Sequence, residues 1–138
     1  MKYLLDTNVI SELQKPNCNQ NLKSFVETVN WNDIYLSVIS IGELSYGIEK
    51  LPSGKKKHDL SIWLYTDIPR LFKDRIISLD TEVLIEWGKL RAGTGRTLPA
   101  ADSLIAASVI VHHIFLVTRN IKDYEDIEGI NILNPWEF

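Results

Sequence analysis

The sequence predicts a three-layer α/β fold, in which helices flank a central, mostly parallel sheet of four to five strands. Short runs of β-branched and aromatic residues alternate along the chain with longer segments of helical periodicity. These short runs are apolar throughout instead of alternating with polar residues, which is typical of strands buried on both faces of a parallel sheet. No repeat, low-complexity tract or linker interrupts the 138 residues, so we expect one domain over residues 1–138.

Five runs have the composition of strands and are bounded by polar or turn-forming residues. The fifth is short and is expected at an edge of the sheet. In chain order they are Lys2–Leu5, Ile34–Ser37, Arg75–Leu79, Ile114–Thr118 and Asn131–Leu133. Because helices connect most of these strands, we expect a parallel arrangement, with the carboxyl ends at one edge and a ligand site where the strand order reverses.

Six segments repeat apolar residues at the spacing of a helix. The fourth contains Pro69, which we expect to break or bend the helix near its end. The sixth is apolar on nearly every face, so we expect it to be central and buried. The six segments are Thr7–Gln14, Gln20–Val29, Ser40–Leu51, Lys55–Leu71, Thr81–Arg91 and Pro99–His112.

Composition and charge are those of a globular protein without a general affinity for polyanions. Apolar residues make up 45% and charged residues 24% of the chain, and the formal net charge is −3. That net charge gives no overall attraction to nucleic acid or to an acidic membrane. The charge is uneven, however, because residues 50–75 contain seven Lys and Arg against three Asp. This basic segment allows a local polyanion-binding face.

Several kinds of protein are excluded by what the sequence contains. The single cysteine, Cys18, rules out an intrachain disulfide and a cysteine-based metal site. No apolar stretch approaches the ~18 residues of a membrane helix. Asp6 interrupts the first apolar run too early for a signal peptide, so we expect a cytoplasmic protein with no membrane partner.

Four acidic residues stand where apolar segments begin or have just ended: Asp6, Glu43, Asp102 and Asp123. Asp6 follows the first strand, and Asp123 comes five residues after the end of the fourth. Asp102 and Glu43 lie in the first turns of predicted helices. Carboxylates that converge at the edge of a core repel one another unless a cation is bound, so this placement predicts a divalent-metal site.

Each carboxylate also has a purely structural explanation. Asp6 can cap the following helix, and Ser40 with Glu43 matches the S-x-x-E capping box. Asp102 can complement a helix dipole, and the segment 120–123 can be a capped turn. Capping signals are common, but four of them at one end of one sheet are far less expected by chance than any single one.

The motifs that carry these acids resemble the PIN-domain family, and within it the VapC and FitB type toxins of bacterial type II toxin–antitoxin modules. The resemblance extends nearly end to end, in the family's order and at its length. The matching segments are Leu4–Glu12 (LLDTNVISE), Ile41–Glu43 (IGE), Leu98–Ala106 (LPAADSLIA) and Val117–Tyr124 (VTRNIKDY).

The resemblance implies a Mg²⁺- or Mn²⁺-dependent endoribonuclease that a cognate antitoxin inhibits and that forms a homodimer. By position, the acidic quartet Asp6, Glu43, Asp102 and Asp123 matches the family's metal-holding and catalytic residues. Thr7 matches the residue beside the first aspartate, and Thr118 and Asn120 match polar groups that line the site.

The hypothesis for the reaction is hydrolysis of RNA by a metal-activated water. We expect Asp6 and Asp102 to bind metal directly, and Glu43 and Asp123 to bind it directly or through water. Candidate side chains for holding RNA phosphates are Lys50, Lys55, Lys56, Lys57, Arg91 and Arg96. Two alternatives remain open from the sequence: a metal-dependent nuclease that cuts DNA, and a non-catalytic module that binds RNA or a partner.

Overall fold

Five parallel strands form one sheet in the computed structural model, which describes residues 1–138. The strands are β1 (Tyr3–Leu5), β2 (Ile34–Ser37), β3 (Ile76–Ile77), β4 (Phe115–Val117) and β5 (Ile132–Leu133). The three-layer α/β prediction is confirmed, and all five predicted strands are present. Four of them are one to three residues shorter than predicted, because only their central residues pair with neighbours.

The strand order is β3-β2-β1-β4-β5, so the direction of winding reverses beside the central strand β1. From β1 the chain moves outward through β2 and β3, and it then returns to the other side of β1 for β4 and β5. Leu5 pairs with Val117 across the β1–β4 boundary. The carboxyl ends of these two strands therefore form a topological switch point, where α/β sheets bind ligands. Asp6 and Thr118 are the first residues beyond them.

Seven α-helices accompany the sheet, and none has the length and apolar character needed to cross a membrane. They account for the six predicted helical segments, one of which is divided in two. The helices are α1 (Thr7–Leu13), α2 (Gln20–Thr28), α3 (Val38–Glu49), α4 (Lys55–Ile62), α5 (Ile68–Phe72), α6 (Thr81–Gly93) and α7 (Ala100–His112).

The divided segment is the one that contains Pro69. A π-helical turn, Trp63–Asp67, separates α4 from α5, and Pro69 lies in the first turn of α5. Proline has no N–H to donate to the carbonyl four residues earlier, which disfavours an unbroken α-helix across this point. The sequence predicted a break or bend near Pro69; the structure shows a π-helical turn just before this proline, and residues 55–72 remain helical throughout.

Helix α3 begins earlier than the sequence suggested. The prediction began it at Ser40, whereas Val38 is its first residue and follows β2 without a loop. The Ser37 hydroxyl accepts a hydrogen bond from the backbone N–H of Ile39 and so caps the helix. Glu43 consequently lies in the second turn of α3, and the expectation that it lies in the first turn is wrong.

The core has two parts, one on each face of the sheet. Leu5 lies in a buried cluster with Phe25 of α2, and its neighbour Leu4 lies in the other cluster with Ile105 of α7. Adjacent strand residues point to opposite faces, so this division follows from the pleat of β1. Six of the thirteen residues of α7 are buried, which confirms that this helix is central.

Candidate active site

Asp6 is the most enclosed of the four predicted site carboxylates, with only 6% of its surface exposed. Its Oδ1 accepts a hydrogen bond from the backbone N–H of Thr7 at 2.8 Å, so Asp6 does cap α1. Its Oδ2 accepts hydrogen bonds from the hydroxyls of Thr118 at 2.8 Å and Tyr124 at 3.2 Å. Asp6 is therefore a helix cap through Oδ1 only. Its Oδ2 faces the switch point and is available for another role.

Asp102 lies beside Asp6, through a residue that the sequence analysis did not single out. The Tyr124 hydroxyl lies 3.2 Å from Asp102 Oδ1, the same distance as from Asp6 Oδ2. Asp102 occupies the first turn of α7, as predicted, and its side chain makes no capping bond. The only sequence signal for Tyr124 was its position one residue after Asp123, in a motif chosen for its acid.

Burial and mutual repulsion raise the pKa of both carboxylates. For Asp6, desolvation is the largest cause of the raised pKa, and the charge of Glu43 adds to it, while hydrogen bonds from Thr118, Thr7 and Tyr124 oppose it. For Asp102, desolvation again leads, followed by the charge of Asp6; the charge of Asp123 also raises the pKa. The four acids of the quartet thus act on one another electrostatically.

Glu43 is held toward this site by a directional chain of hydroxyls. Thr7 Oγ1 donates a hydrogen bond to Glu43 Oε1 at 2.6 Å and lies 2.8 Å from Ser40 Oγ. Because threonine has a single hydroxyl hydrogen, the fully buried Ser40 must donate to Thr7. Ser40 and Glu43 therefore do not form the predicted capping box. The cap is Ser37, and Ser40 supports Glu43 through another helix.

Asp123 lies at the rim of the site. It ends a short 3₁₀ turn whose preceding residue, Asn120, makes no side-chain capping bond, so the capped-turn explanation is wrong. The exposed Asp123 carboxylate takes part in none of the ion pairs. Its backbone carbonyl accepts a hydrogen bond from Arg96 Nη2 at 2.6 Å, which braces this segment.

Thr118, which follows β4, forms a hydrogen bond with Asp6, which follows β1, across the switch point. It is fully buried, donates to Asp6 Oδ2, and accepts hydrogen bonds from the Asn120 backbone N–H at 3.1 Å and from Asn8 Nδ2 at 3.5 Å. Asn8 Oδ1 in turn accepts from the Arg119 backbone N–H at 3.4 Å. Asn8, within the LLDTNVISE motif, is a second site residue that the sequence analysis did not name.

The basic side chains predicted to hold RNA differ in whether they already contact other groups of the protein. Arg91 and Arg96 line one cavity of about 610 Å³, but Arg96 is also paired with Asp126 at 2.7 Å and Arg91 covers the Trp87 ring at 4.5 Å. Lys56 lines a different cavity, of about 510 Å³.

The other two lysines of that run have partners within the protein. Lys55 pairs with Asp59 at 2.6 Å. Lys57 donates to the carbonyls of Glu49 and Leu51 beyond the end of α3. These contacts leave Lys56 as the lysine of the run whose ammonium group makes no hydrogen bond within the protein, and it shares a cavity with Thr7 and Glu43.

The chemistry of the quartet fits a divalent cation held by few direct protein ligands. The four ion pairs of the protein use Glu12, Asp59, Asp67 and Asp126, so no lysine or arginine forms an ion pair with a member of the quartet. No three His, Cys, Asp or Glu side chains lie close enough together to hold one ion. Mg²⁺ commonly binds through one or two carboxylates and keeps several waters, which Asp6 and Asp102 can satisfy.

Comparison with known proteins places this geometry in a family. The family model described as "PIN domain" matches residues 3–129. The chain is 35% identical to Toxin FitB of Neisseria gonorrhoeae, over 96% of this chain and 97% of that protein. It is 30% identical to VapC ribonuclease Y4jK of Sinorhizobium fredii, over 97% of each.

Solved structures agree with the sequence comparison. FitAB bound to a DNA fragment superimposes with a TM-score of 0.89 at 32% identity, over 99% of this chain and 96% of the other. DNA-bound VapBC from Salmonella typhimurium superimposes with a TM-score of 0.80 at 26% identity, over 98% of each. From the family match, the shared fold and the acids at its switch point, we conclude that this chain belongs to the PIN-domain family.

Proposed function

We propose that this protein is a Mg²⁺- or Mn²⁺-dependent endoribonuclease and the toxin of a type II toxin–antitoxin module. The observation that carries the proposal is the meeting of Asp6 and Asp102 at one hydroxyl, at the topological switch point, with Glu43 held alongside. The names of the relatives support it, because they include a toxin, VapC ribonucleases and a tRNA(fMet)-specific endonuclease.

In this proposal Asp6 and Asp102 would hold the cation directly, and Glu43 and Asp123 would hold it directly or through water. A bound divalent ion supplies an activated water and stabilises negative charge on the leaving oxygen. Thr118 fixes one oxygen of Asp6, and Thr7 orients Glu43 toward the site. The backbone N–H of Asn120 donates to Thr118 Oγ1 and so supports the hydroxyl that fixes Asp6.

RNA binding must overcome the negative charge of the site. Lys56 is the best placed of the lysines, since it makes no internal bond and shares a cavity with Thr7 and Glu43. Arg91 and Arg96 line a separate cavity formed by the end of α6 and the segment that leads to α7. Cationic side chains that contact phosphates raise affinity without reading sequence, so the RNA target itself is set elsewhere.

A protein partner belongs to the same proposal. The similar structures include FitAB and VapBC, and VapBC-5 of Mycobacterium tuberculosis is described as a member of the VapBC family of toxin–antitoxin systems. We therefore propose a cognate antitoxin as the partner of this chain, and a homodimer as its assembly.

The test is cleavage of RNA by the purified, antitoxin-free protein in Mg²⁺ or Mn²⁺. We expect cleavage that EDTA abolishes and that Asp102→Asn reduces by at least ~100-fold, with 5′-phosphate and 3′-hydroxyl ends. Asp74→Asn is the matched control, because this exposed acid precedes β3 at the opposite end of the strands.

Three results would overturn the proposal. Products with 2′,3′-cyclic phosphate would exclude hydrolysis by an activated water. Cleavage of single-stranded or duplex DNA in preference to RNA would favour the DNA-nuclease alternative. Full RNA binding by Asp6→Asn and Asp102→Asn, with no cleavage and no metal binding by the parent protein, would favour the non-catalytic module.

A further inference from the structure

We infer that the Tyr124 hydroxyl is the positioning group of the metal site, the donor that holds Asp102 in place against Asp6. The inference rests on the proposed function, since it concerns how the same carboxylates are arranged for a cation. It adds a residue outside the acidic quartet and outside the threonine and asparagine positions that the sequence pointed to.

The two carboxylates are held very differently. Asp6 receives three hydrogen bonds, from the Thr7 backbone and from the hydroxyls of Thr118 and Tyr124. Asp102 receives a single hydrogen bond, and its donor is Tyr124. Asp6 is therefore fixed without Tyr124, whereas the orientation of Asp102 depends on it.

Tyr124 itself is rigid enough for this role. Its side chain is completely buried, in the same apolar cluster as Leu98, Ile105, Leu116 and Ile127. Its backbone N–H donates to the Ile121 carbonyl at 3.0 Å, which fixes the turn that presents it. A tyrosine ring has only two side-chain torsions, so this packing sets the position of the hydroxyl.

The hydroxyl lies between two groups that repel each other. It has one hydrogen to share between Asp6 Oδ2 and Asp102 Oδ1, both at 3.2 Å, so it draws both oxygens toward one point. A bound cation attracts the same pair to a common position. By offsetting part of the repulsion beforehand, the hydroxyl reduces the rearrangement needed when a cation binds.

Removal of this hydroxyl should therefore weaken metal binding while the fold is retained. In Tyr124→Phe the ring still fills its cavity, but Asp102 loses its donor and turns toward solvent. Groups that orient metal ligands typically contribute 10- to 100-fold to metal affinity or activity, and we expect about 10-fold weaker Mn²⁺ binding. At saturating metal, kcat should fall and the KM for RNA should stay within about two-fold of the parent value.

The experiment is a titration with Mn²⁺, monitored by electron paramagnetic resonance. It is carried out on the parent protein, Tyr124→Phe, Tyr3→Phe and Asp102→Asn. Tyr3→Phe is the matched control, because its hydroxyl contacts the Met1 sulfur at the other end of β1. We expect Tyr124→Phe to bind about 10-fold more weakly, Tyr3→Phe to bind as the parent does, and Asp102→Asn to bind least. Urea unfolding of each variant shows whether the fold is retained.

The outcomes separate the inference from the proposed function. Asp102-dependent Mn²⁺ binding that Tyr124→Phe leaves unchanged would overturn the inference and leave the ribonuclease proposal standing. Absence of Mn²⁺ binding by the parent protein would overturn both. If Tyr124→Phe does not fold, the ultraviolet difference signal of tyrosine on adding Mg²⁺ decides the question: we expect it in the parent and in Tyr3→Phe but not in Asp102→Asn. Its absence from the parent would overturn the inference.

Discussion

Asp6 shows how one side chain can serve both structure and chemistry. One carboxylate oxygen caps α1 through the Thr7 backbone N–H, and the other faces the switch point and accepts two hydroxyl hydrogens. This division explains why a sequence-level capping explanation and a metal-site explanation were both reasonable. It also means that a substitution of Asp6 disturbs the helix start and the site together, so Asp102 is the better residue for separating the two.

The negative charge of Asp102 lowers the free energy of unfolding of the metal-free protein. Because burial and the charge of Asp6 raise its pKa, the ionised form is disfavoured in the folded protein. Asp102→Asn removes that charge, and its amide oxygen can still accept from Tyr124. We expect the metal-free variant to be more stable than the parent at neutral pH by about 0.5–1 kcal/mol, near the lower end of single stabilising substitutions because the side chain is partly exposed. Urea unfolding in EDTA measures this difference.

The sign of the pH dependence follows from the raised pKa. The Asp102 carboxyl has a higher pKa in the folded protein than in the unfolded chain, so on acidification the folded protein takes up the proton first. The loss of stability caused by ionised Asp102 is therefore fully present above the folded-state pKa. As the pH falls through the raised pKa and toward the model value of 3.8, the parent becomes protonated and the advantage of Asp102→Asn should disappear. An advantage that grows on acidification would contradict this account.

At the scale of elements, α3 links the sheet to the site. It starts directly after the last residue of β2, and its third residue, Ser40, donates to Thr7 at the start of α1, which in turn donates to Glu43. The sequence correctly predicted a helix after β2 that carries Glu43, but it started this helix two residues too late and assigned the cap to the wrong serine. Ser37 and Ser40 both precede apolar helical residues, and which of them lies at the helix end depends on where β2 stops pairing with β3.

Two serine substitutions on α3 should therefore have different effects. Ser40→Ala removes the buried donor to Thr7, which frees Thr7 to turn from Glu43; we expect a loss of about 1 kcal/mol in stability and a several-fold loss of RNA cleavage. Ser37→Ala removes only the helix cap, with a similar loss of about 1 kcal/mol but cleavage close to that of the parent. Urea unfolding and cleavage rates at saturating metal measure both effects. Equal cleavage losses in the two variants would mean that the hydroxyl chain has no role of its own.

For the whole molecule, the order of the strands decides which acids meet. The alternation of short apolar runs with helical segments was sufficient to predict the layers and the parallel strands. It also predicted that Asp6, Glu43, Asp102 and Asp123 lie toward one edge of the sheet. The order β3-β2-β1-β4-β5 depends on pairing between segments more than 100 residues apart, such as Leu5 with Val117, which local patterns do not encode. Tyr124 was missed for the same reason: its two hydrogen bonds cross 118 and 22 residues of sequence.

This whole-molecule arrangement makes one further prediction, that a divalent cation stabilises the native fold. The site is assembled from the ends of β1 and β4, the second turn of α3 and the first turn of α7, so an unfolded chain has no comparable group of carboxylates. A ligand that binds only the native state adds RT ln(1 + [L]/Kd), or about 2.7 kcal/mol at 100 times its Kd. We expect Mg²⁺ or Mn²⁺ to raise the urea midpoint of the parent and to have little effect on Asp102→Asn. In excess metal the order of stability should then reverse from that in EDTA, because the charge that destabilises the empty site is the charge that the cation binds. Equal shifts in both proteins would indicate binding away from Asp102.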